Sequence, residues 1–327
     1  MLGKPFTVTE YGHPYPNAYG GEGQPLMRAY GAFQDWDAVF TYSWQNRHDI
    51  EPDHVEYFFS NGSRADVVAH TPAMAAMFLR GDVAKCRELI VVPADERKYS
   101  ERFYPNRYIP EDTQTASGAK VRYEHGLLHG LALDLSGKSP MPGDHGRAPA
   151  VKVSDTGELT WNNAVKGAGY VTLDTPNVKM FTGFVAGRTF DLGGVGLSIG
   201  KTKLDWATVT LLSKDATGFG ENGAARILLA VTGLCRNKDA KETFSEVTEG
   251  MAYIATRGED WGRGPFMCEG VPLSLTLGAA AARVSCKALD EHGNPKAGVP
   301  VAASADGKAV VSVDARYETV WYEIDIV

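Results

Sequence analysis

The chain lacks most features that assign a protein quickly. Positive charge is not in excess: 33 Lys and Arg stand against 40 Asp and Glu in 327 residues, a net charge of −7. Holding nucleic-acid phosphates needs a basic footprint, so that partner class is not expected. No apolar run approaches the roughly eighteen residues of a membrane span. No signal-peptide pattern follows Met1, and the compartment stays open. Cysteine is scarce. Cys86, Cys235, Cys268 and Cys286 lie far apart with no C-x-x-C pair, whereas zinc ligands usually come in close pairs. Buried free thiols are therefore expected, and no structural metal. A G-x-S-x-G nucleophile elbow is missing. Gly200-Lys201-Thr202 ends like a phosphate loop, but Val195 stands where that loop needs a glycine, so a strand and its turn are expected. Glu124, His125 and His129 have no third ligand at motif spacing. No cofactor is expected.

What is present is an ordinary globular composition, 43% apolar and 22% charged, with 36 glycines and 17 prolines. That glycine and proline content suits strands and turns. Residues 5–12 read as a short strand ending in Glu10-Tyr11-Gly12, and a helix is expected from about Pro25 to Phe33. Asp37 to Trp44 reads as a second strand. Thr71-Pro72 opens a second helix that Gly81 closes. Strand, helix, strand, helix is the pattern of β/α units. After about Val83 the period becomes two. Ala207, Val209 and Leu211 fall on one face with Thr208 and Thr210 on the other, and Ala225–Gly233 reads as a more buried strand. Five short strands between Val271 and Ile326 suggest a small immunoglobulin-like module. The expected fold is mainly β with an N-terminal α/β part. Residues 1–82 form the β/α segment, 83–265 an antiparallel β-sandwich and 266–327 the small module.

Chemistry concentrates at the start. Thr9-Glu10-Tyr11-Gly12-His13-Pro14 resembles the nucleophile strand of retaining (β/α)8-barrel glycoside hydrolases, the clan of β-galactosidases, cellulases and mannanases. In that clan a glutamate ends the seventh strand and the eighth often delivers a sugar-stacking aromatic. The resemblance implies Glu10 as nucleophile and Tyr11, His13, Tyr42 and Trp44 as substrate contacts, with Tyr11 or His13 expected to hydrogen-bond the glutamate and keep it charged. Tyr15, Tyr19 and Trp36 extend an aromatic belt. An ionised glutamate can attack an anomeric carbon and form a glycosyl-enzyme. The implied partner is a β-linked oligo- or polysaccharide.

The acid/base glutamate of that clan follows an asparagine, and no Asn-Glu pair occurs. A complete barrel takes about 250 residues. The order of elements thus resembles the C-terminal part of such an enzyme: the last two β/α units of a TIM barrel, then a sandwich. Uncovered strand edges would invite pairing between copies, packing on the sandwich, or local mobility. A non-catalytic carbohydrate-binding or buttressing sandwich is the other expectation. Trp261, within the glycine-rich run 258–264, is its best sugar platform. Asn61-Gly62-Ser63 is a glycosylation sequon, uninformative without an export signal.

Overall fold

The N-terminal unit is β-α-β. Thr7–Tyr11 (β1) and Ala38–Thr41 (β2) pair in parallel, with helix Gly20–Phe33 (α1) as the crossover. These contacts come from a computed structural model that describes residues 1–45, 53–93, 121–185, 187–220, 223–241, 243–245, 254–256 and 260–327. Helix α1 starts five residues before the expected Pro25, through three glycines. Tertiary contact overrides their poor propensity. A Cβ on Gly20 would lie 2.0 Å from Arg64 Nη2, and one on Gly21 would lie 3.2 Å from Thr232 Oγ1. Only a bare backbone can approach that closely. Ala65–Val68 (α2) and Thr71–Ala75 (α3) follow, and α3 runs into a π turn, Ala76–Arg80. Gly81 closes it at φ 79°, as its sequence position suggested.

Parallel pairing does not stop near residue 83. Leu89–Pro93 (β3) and Gly130–Asp134 (β4) form a second parallel pair with a small core of Ile90, Val92 and Val121. The antiparallel part therefore begins at Val151 and not at 83. A short apolar run looks the same in either kind of sheet, so periodicity could not place that boundary.

From there the chain is a sandwich. Its strands are Val151–Val153 (β5), Leu159–Asn162 (β6), Tyr170–Asp174 (β7), Val178–Phe184 (β8), Thr189–Leu192 (β9), Val195–Ile199 (β10), Trp206–Ser213 (β11) and Ala225–Thr232 (β12). Cys235–Lys238 (β13), Thr243–Ser245 (β14), Ile254–Thr256 (β15) and Arg263–Cys268 (β16) lie outside the two large sheets. Leu273–Ala280 (β17), Val284–Leu289 (β18), Pro295–Val299 (β19), Val301–Ala303 (β20), Lys308–Val313 (β21) and Trp321–Ile326 (β22) complete it. One sheet runs β19-β18-β22-β12-β11-β8-β7-β6-β5 and the other β20-β21-β17-β10-β9. Gly193 and Gly194 make the β9–β10 turn, so the phosphate-loop look-alike is a hairpin.

The strands expected as a separate C-terminal module belong to these sheets. β22 lies between β18 and β12, β17 lies between β21 and β10, and the chain changes sheet across Pro300. Strand spacing reveals strands but not their partners. The apolar inner faces of β12 (Ile227, Leu229) and β10 (Leu197, Ile199) need cover, and Tyr322, Ile324, Leu273 and Leu275 supply it. Fully burying such a side chain contributes about 1.5–3 kcal/mol.

Ala207, Val209 and Leu211 enter the core between the sheets, as alternation required. The opposite face of that sheet is also covered. Thr208 and Thr210 are buried beneath the N-terminal unit, where Thr208 meets the Thr182 hydroxyl at 2.7 Å. His70 fills the same layer, its two ring nitrogens 3.0 and 2.9 Å from the hydroxyls of Thr210 and Thr232. Around it Ala29, Phe33 and Met77 pack on Leu173, Met180 and Leu212, and Trp321 Nε1 donates to the Ala69 carbonyl at 2.9 Å. The β-α-β unit is thus built onto the sandwich. Cys235 and Cys268 form a disulfide across β13 and β16, contrary to the expected free thiols. Strand pairing brings together residues that sequence separates by 33 positions.

Candidate active-site face

Strand register decides which way Glu10 points. Val8 pairs with Val39 and Tyr11 with Thr41, so Thr9 and Glu10 together oppose the single residue Phe40. This is a β-bulge, a device that re-aims side chains and is common beside active sites. Val39 faces α1, its Cγ2 3.4 Å from where a Gly31 Cβ would stand, and Thr41 faces it too, accepting from Arg28 Nη2 at 2.6 Å. Thr9, Glu10 and Phe40 are exposed on the other side. Phe40 is 57% exposed, and Tyr42 and Trp44, two and four residues on, are 36% and 59% exposed. The Glu10 carboxylate has no hydrogen bond or ion pair to any described residue.

Neither Tyr11 nor His13 hydrogen-bonds Glu10, contrary to expectation, because the bulge turns Tyr11 to the α1 side. The Tyr11 carbonyl accepts from Tyr42 N–H at 2.9 Å and from the Gln24 side chain at 3.1 Å. Its hydroxyl lies 3.3 Å from His13 Nε2, while His13 Nδ1 is buried without a partner. Burial, with Arg64 adding to it, pulls the His13 pKa below its usual value and favours the neutral ring. Burial raises the Tyr11 phenol, and Glu22 raises it further. Glu22 itself, in the first turn of α1, is pushed up to about 7 by burial. Perturbed groups of this kind gather at functional sites. Sequence reasoning missed Glu22 and Phe40. The first stands among three glycines, and the second is in step with Tyr42 and Trp44.

Two turns hold this arrangement. Gly12 passes so close to β2 that a Cβ there would lie 2.7 Å from the Tyr42 carbonyl oxygen. Gly12→Ala is expected to force that backbone apart and destabilise the chain by about 1–3 kcal/mol. Urea denaturation measures the loss, and an unchanged midpoint would show that the turn relaxes freely. After β2, Asn61 and Gly62 donate backbone N–H groups to the Trp44 carbonyl at 3.0 and 2.8 Å. The Asn61 amide donates to the carbonyls of Ser43 and Phe59 at 2.9 and 3.1 Å. Asn61 is buried, so this sequon offers no glycan acceptor in the folded chain. The Trp44 indole rests against Gly62. A groove of ≈ 460 Å³ continues from it, lined by Phe40, Trp44, Asn61, Met74, Phe78 and Leu79.

The other aromatics have different duties. Tyr15 is buried, Tyr19 packs edge-on against Trp206, and Trp36 lies 5.1 Å from Phe6. Trp261 is half-buried, with Tyr15 at 5.5 Å and Phe58 at 5.0 Å, away from Glu10's face as an anchor for the loops. Residues 258 and 259 of its glycine-rich run lie outside the described residues. His129 turns to Asp155 at 3.2 Å, whereas His125 Nδ1 accepts from Arg122 N–H at 2.8 Å, so these histidines do not converge. Comparison with family models, curated proteins and solved structures finds no match to the chain.

Proposed function

We propose that this chain carries the nucleophile side of a retaining glycoside hydrolase acting on β-linked saccharides, as the last two β/α units of a barrel with the sandwich as their buttress. One observation carries the reading. The bulge sets an unpaired carboxylate, Glu10, at the C-terminal end of a parallel strand, on the same open face as Phe40, with the exposed Tyr42 and Trp44 in the segment that follows β2. Barrel enzymes hold their catalytic groups at those strand ends. A sugar offers C–H faces to aromatic rings and an electrophilic anomeric carbon to a carboxylate. Glu10 attacks that carbon, the glycosidic bond breaks with its electron pair leaving on the aglycone oxygen, and water later releases the sugar.

Among the described residues Glu10 has no second carboxylate paired with it. Glu22 lies with Tyr11 on the α1 side of the strand and acts behind the face. Leaving-group protonation commonly contributes about 10²–10⁴-fold. The chain alone is therefore expected to be slow on natural substrates and faster on activated aryl glycosides, whose leaving groups need no proton. Incubation with 2-fluoro aryl β-glycosides followed by peptide mass mapping is the test. The expected result is one sugar per chain on Glu10, and none on the Glu10→Gln variant. Label elsewhere, or equal label on both proteins, would remove Glu10 from the chemistry. The second reading is a purely buttressing or sugar-binding sandwich, favoured by the extensive docking of α1, α2 and α3 on it. Sugar binding that survives Glu10→Gln but is lost with Trp261→Ala would select it.

A further inference from the structure

Both loops that carry the proposed site rest on one small hairpin outside the large sheets. Among the described residues β13 and β16 pair only with each other, and a two-stranded hairpin is marginal by itself. From it the fully buried Asn237 reaches across. Its side-chain oxygen accepts from Val55 N–H at 2.9 Å, and its amide donates to the carbonyls of Val55 and Trp261, both at 2.8 Å. Its backbone N–H donates to the Tyr15 hydroxyl at 3.1 Å, and Phe266 N–H donates to the Asp53 carbonyl at 2.7 Å. Tyr15 belongs to the loop after β1, which carries His13. Val55 belongs to the loop after β2, whose Phe58 and Phe59 carbonyls hold Tyr15 N–H and Ser43 N–H. The Cys235–Cys268 bond crosses the hairpin two residues from Asn237.

We propose that this hairpin is a redox-sensitive positioning clamp: Asn237 fixes the two site loops, and the Cys235–Cys268 disulfide keeps Asn237 in place. The inference rests on reading those loops as the site. Opening needs two electrons from an external dithiol. One of its thiolates attacks Cys268 Sγ, the less buried sulfur, and Cys235 leaves as thiolate and takes a proton. The second thiolate then displaces Cys268, leaving two protein thiols and one oxidised, cyclic dithiol. Closing a loop of 33 residues is worth on the order of 10²–10³-fold in an ordering equilibrium.

Hydrogen exchange with and without dithiothreitol tests the clamp. Alkylation should count two more thiols per chain after reduction, in addition to Cys86 and Cys286. Amides of residues 13–17 and 53–60 should then exchange on the order of 10²-fold faster, with β11 and β12 unchanged. Asn237→Ala should do the same while the disulfide stays intact, and Asn237→Asp, which turns a carboxylate oxygen onto the carbonyls of Val55 and Trp261, should accelerate exchange at least as much. Fluorosugar labelling in parallel separates the two ideas. An unlabelled wild type would end the glycosidase reading and leave exchange to judge the clamp. Three results would overturn the clamp: no disulfide in the non-reduced chain, reduction without faster loop exchange, or equal acceleration in β11 and β12.

Discussion

Arg64→Met is expected to be the most damaging single substitution in the β-α-β unit, with a stability loss of about 3–5 kcal/mol. Arg64 is only 1% exposed, and its guanidinium meets Asp66 through Nε at 3.2 Å and Nη2 at 2.6 Å. Nη1 donates to the His13 carbonyl at 2.5 Å. Methionine keeps the apolar stem but leaves the Asp66 carboxylate buried without its cation and the His13 carbonyl without this donor. A desolvated, uncompensated charge is the costly outcome, whereas a neutral pair of similar volume is often tolerated. The double variant Arg64→Met/Asp66→Leu should therefore recover much of the loss, and a double-mutant cycle in urea measures the coupling. A single-variant loss below about 1 kcal/mol would mean that water reaches the pair.

Between about pH 4.5 and 6.5 the contributions of two buried groups, His70 and Glu22, to stability oppose each other. Burial lowers His70 to about 4 from 6.5. Between those values the unfolded chain binds the proton and the folded chain does not, so His70 makes stability fall as pH falls. Burial raises Glu22 to about 7 from 4.5. There the folded chain holds the proton that the unfolded chain has lost, so Glu22 makes stability fall as pH rises. One pKa unit corresponds to about 1.4 kcal/mol, and each shift therefore represents about 3 kcal/mol. Glu22→Gln should gain about that much above pH 7 and almost nothing at pH 4.5. His70→Gln should differ in the opposite sense, doing relatively better toward pH 4 than at pH 7. Denaturation midpoints for the three proteins across pH 4–8 check both. Parallel curves would show that neither group titrates out of register with the unfolded chain.

These two results bear on the proposed site as well as on folding. Glu22 adjoins Tyr11, on the reverse of the strand that presents Glu10, and Arg64 fixes the His13 carbonyl in the next turn. Burying the Glu22 carboxyl is a cost that the surrounding packing must offset. Natural folds tolerate such costs mainly near the groups they use.

The order of residue types was enough to establish a good deal. Period two along Ala207, Val209 and Leu211 identified a half-core strand, and the short strands between Val271 and Ile326 were legible as strands. Thr71-Pro72 and Gly81 marked the bounds of a helical stretch because capping is local chemistry. The Glu10-Tyr11-Gly12 strand end was equally readable, whereas the strand expected to run to Trp44 ends at Thr41. Pairing was not readable, because a strand's partner depends on which apolar face remains uncovered after collapse. That is why residues 266–327 join both sheets and form no module, and why β3 and β4 pair in parallel beyond residue 83. Threonines 208 and 210 look solvent-facing in sequence, yet they become the polar layer that receives His70. Cys235 and Cys268 meet only because β13 lies against β16. Most consequential is the bulge at Thr9–Glu10. One extra residue between two pairs cannot be seen along a single strand, because it exists only relative to β2. Tertiary pairing alone turns Glu10 to the open face beside Phe40.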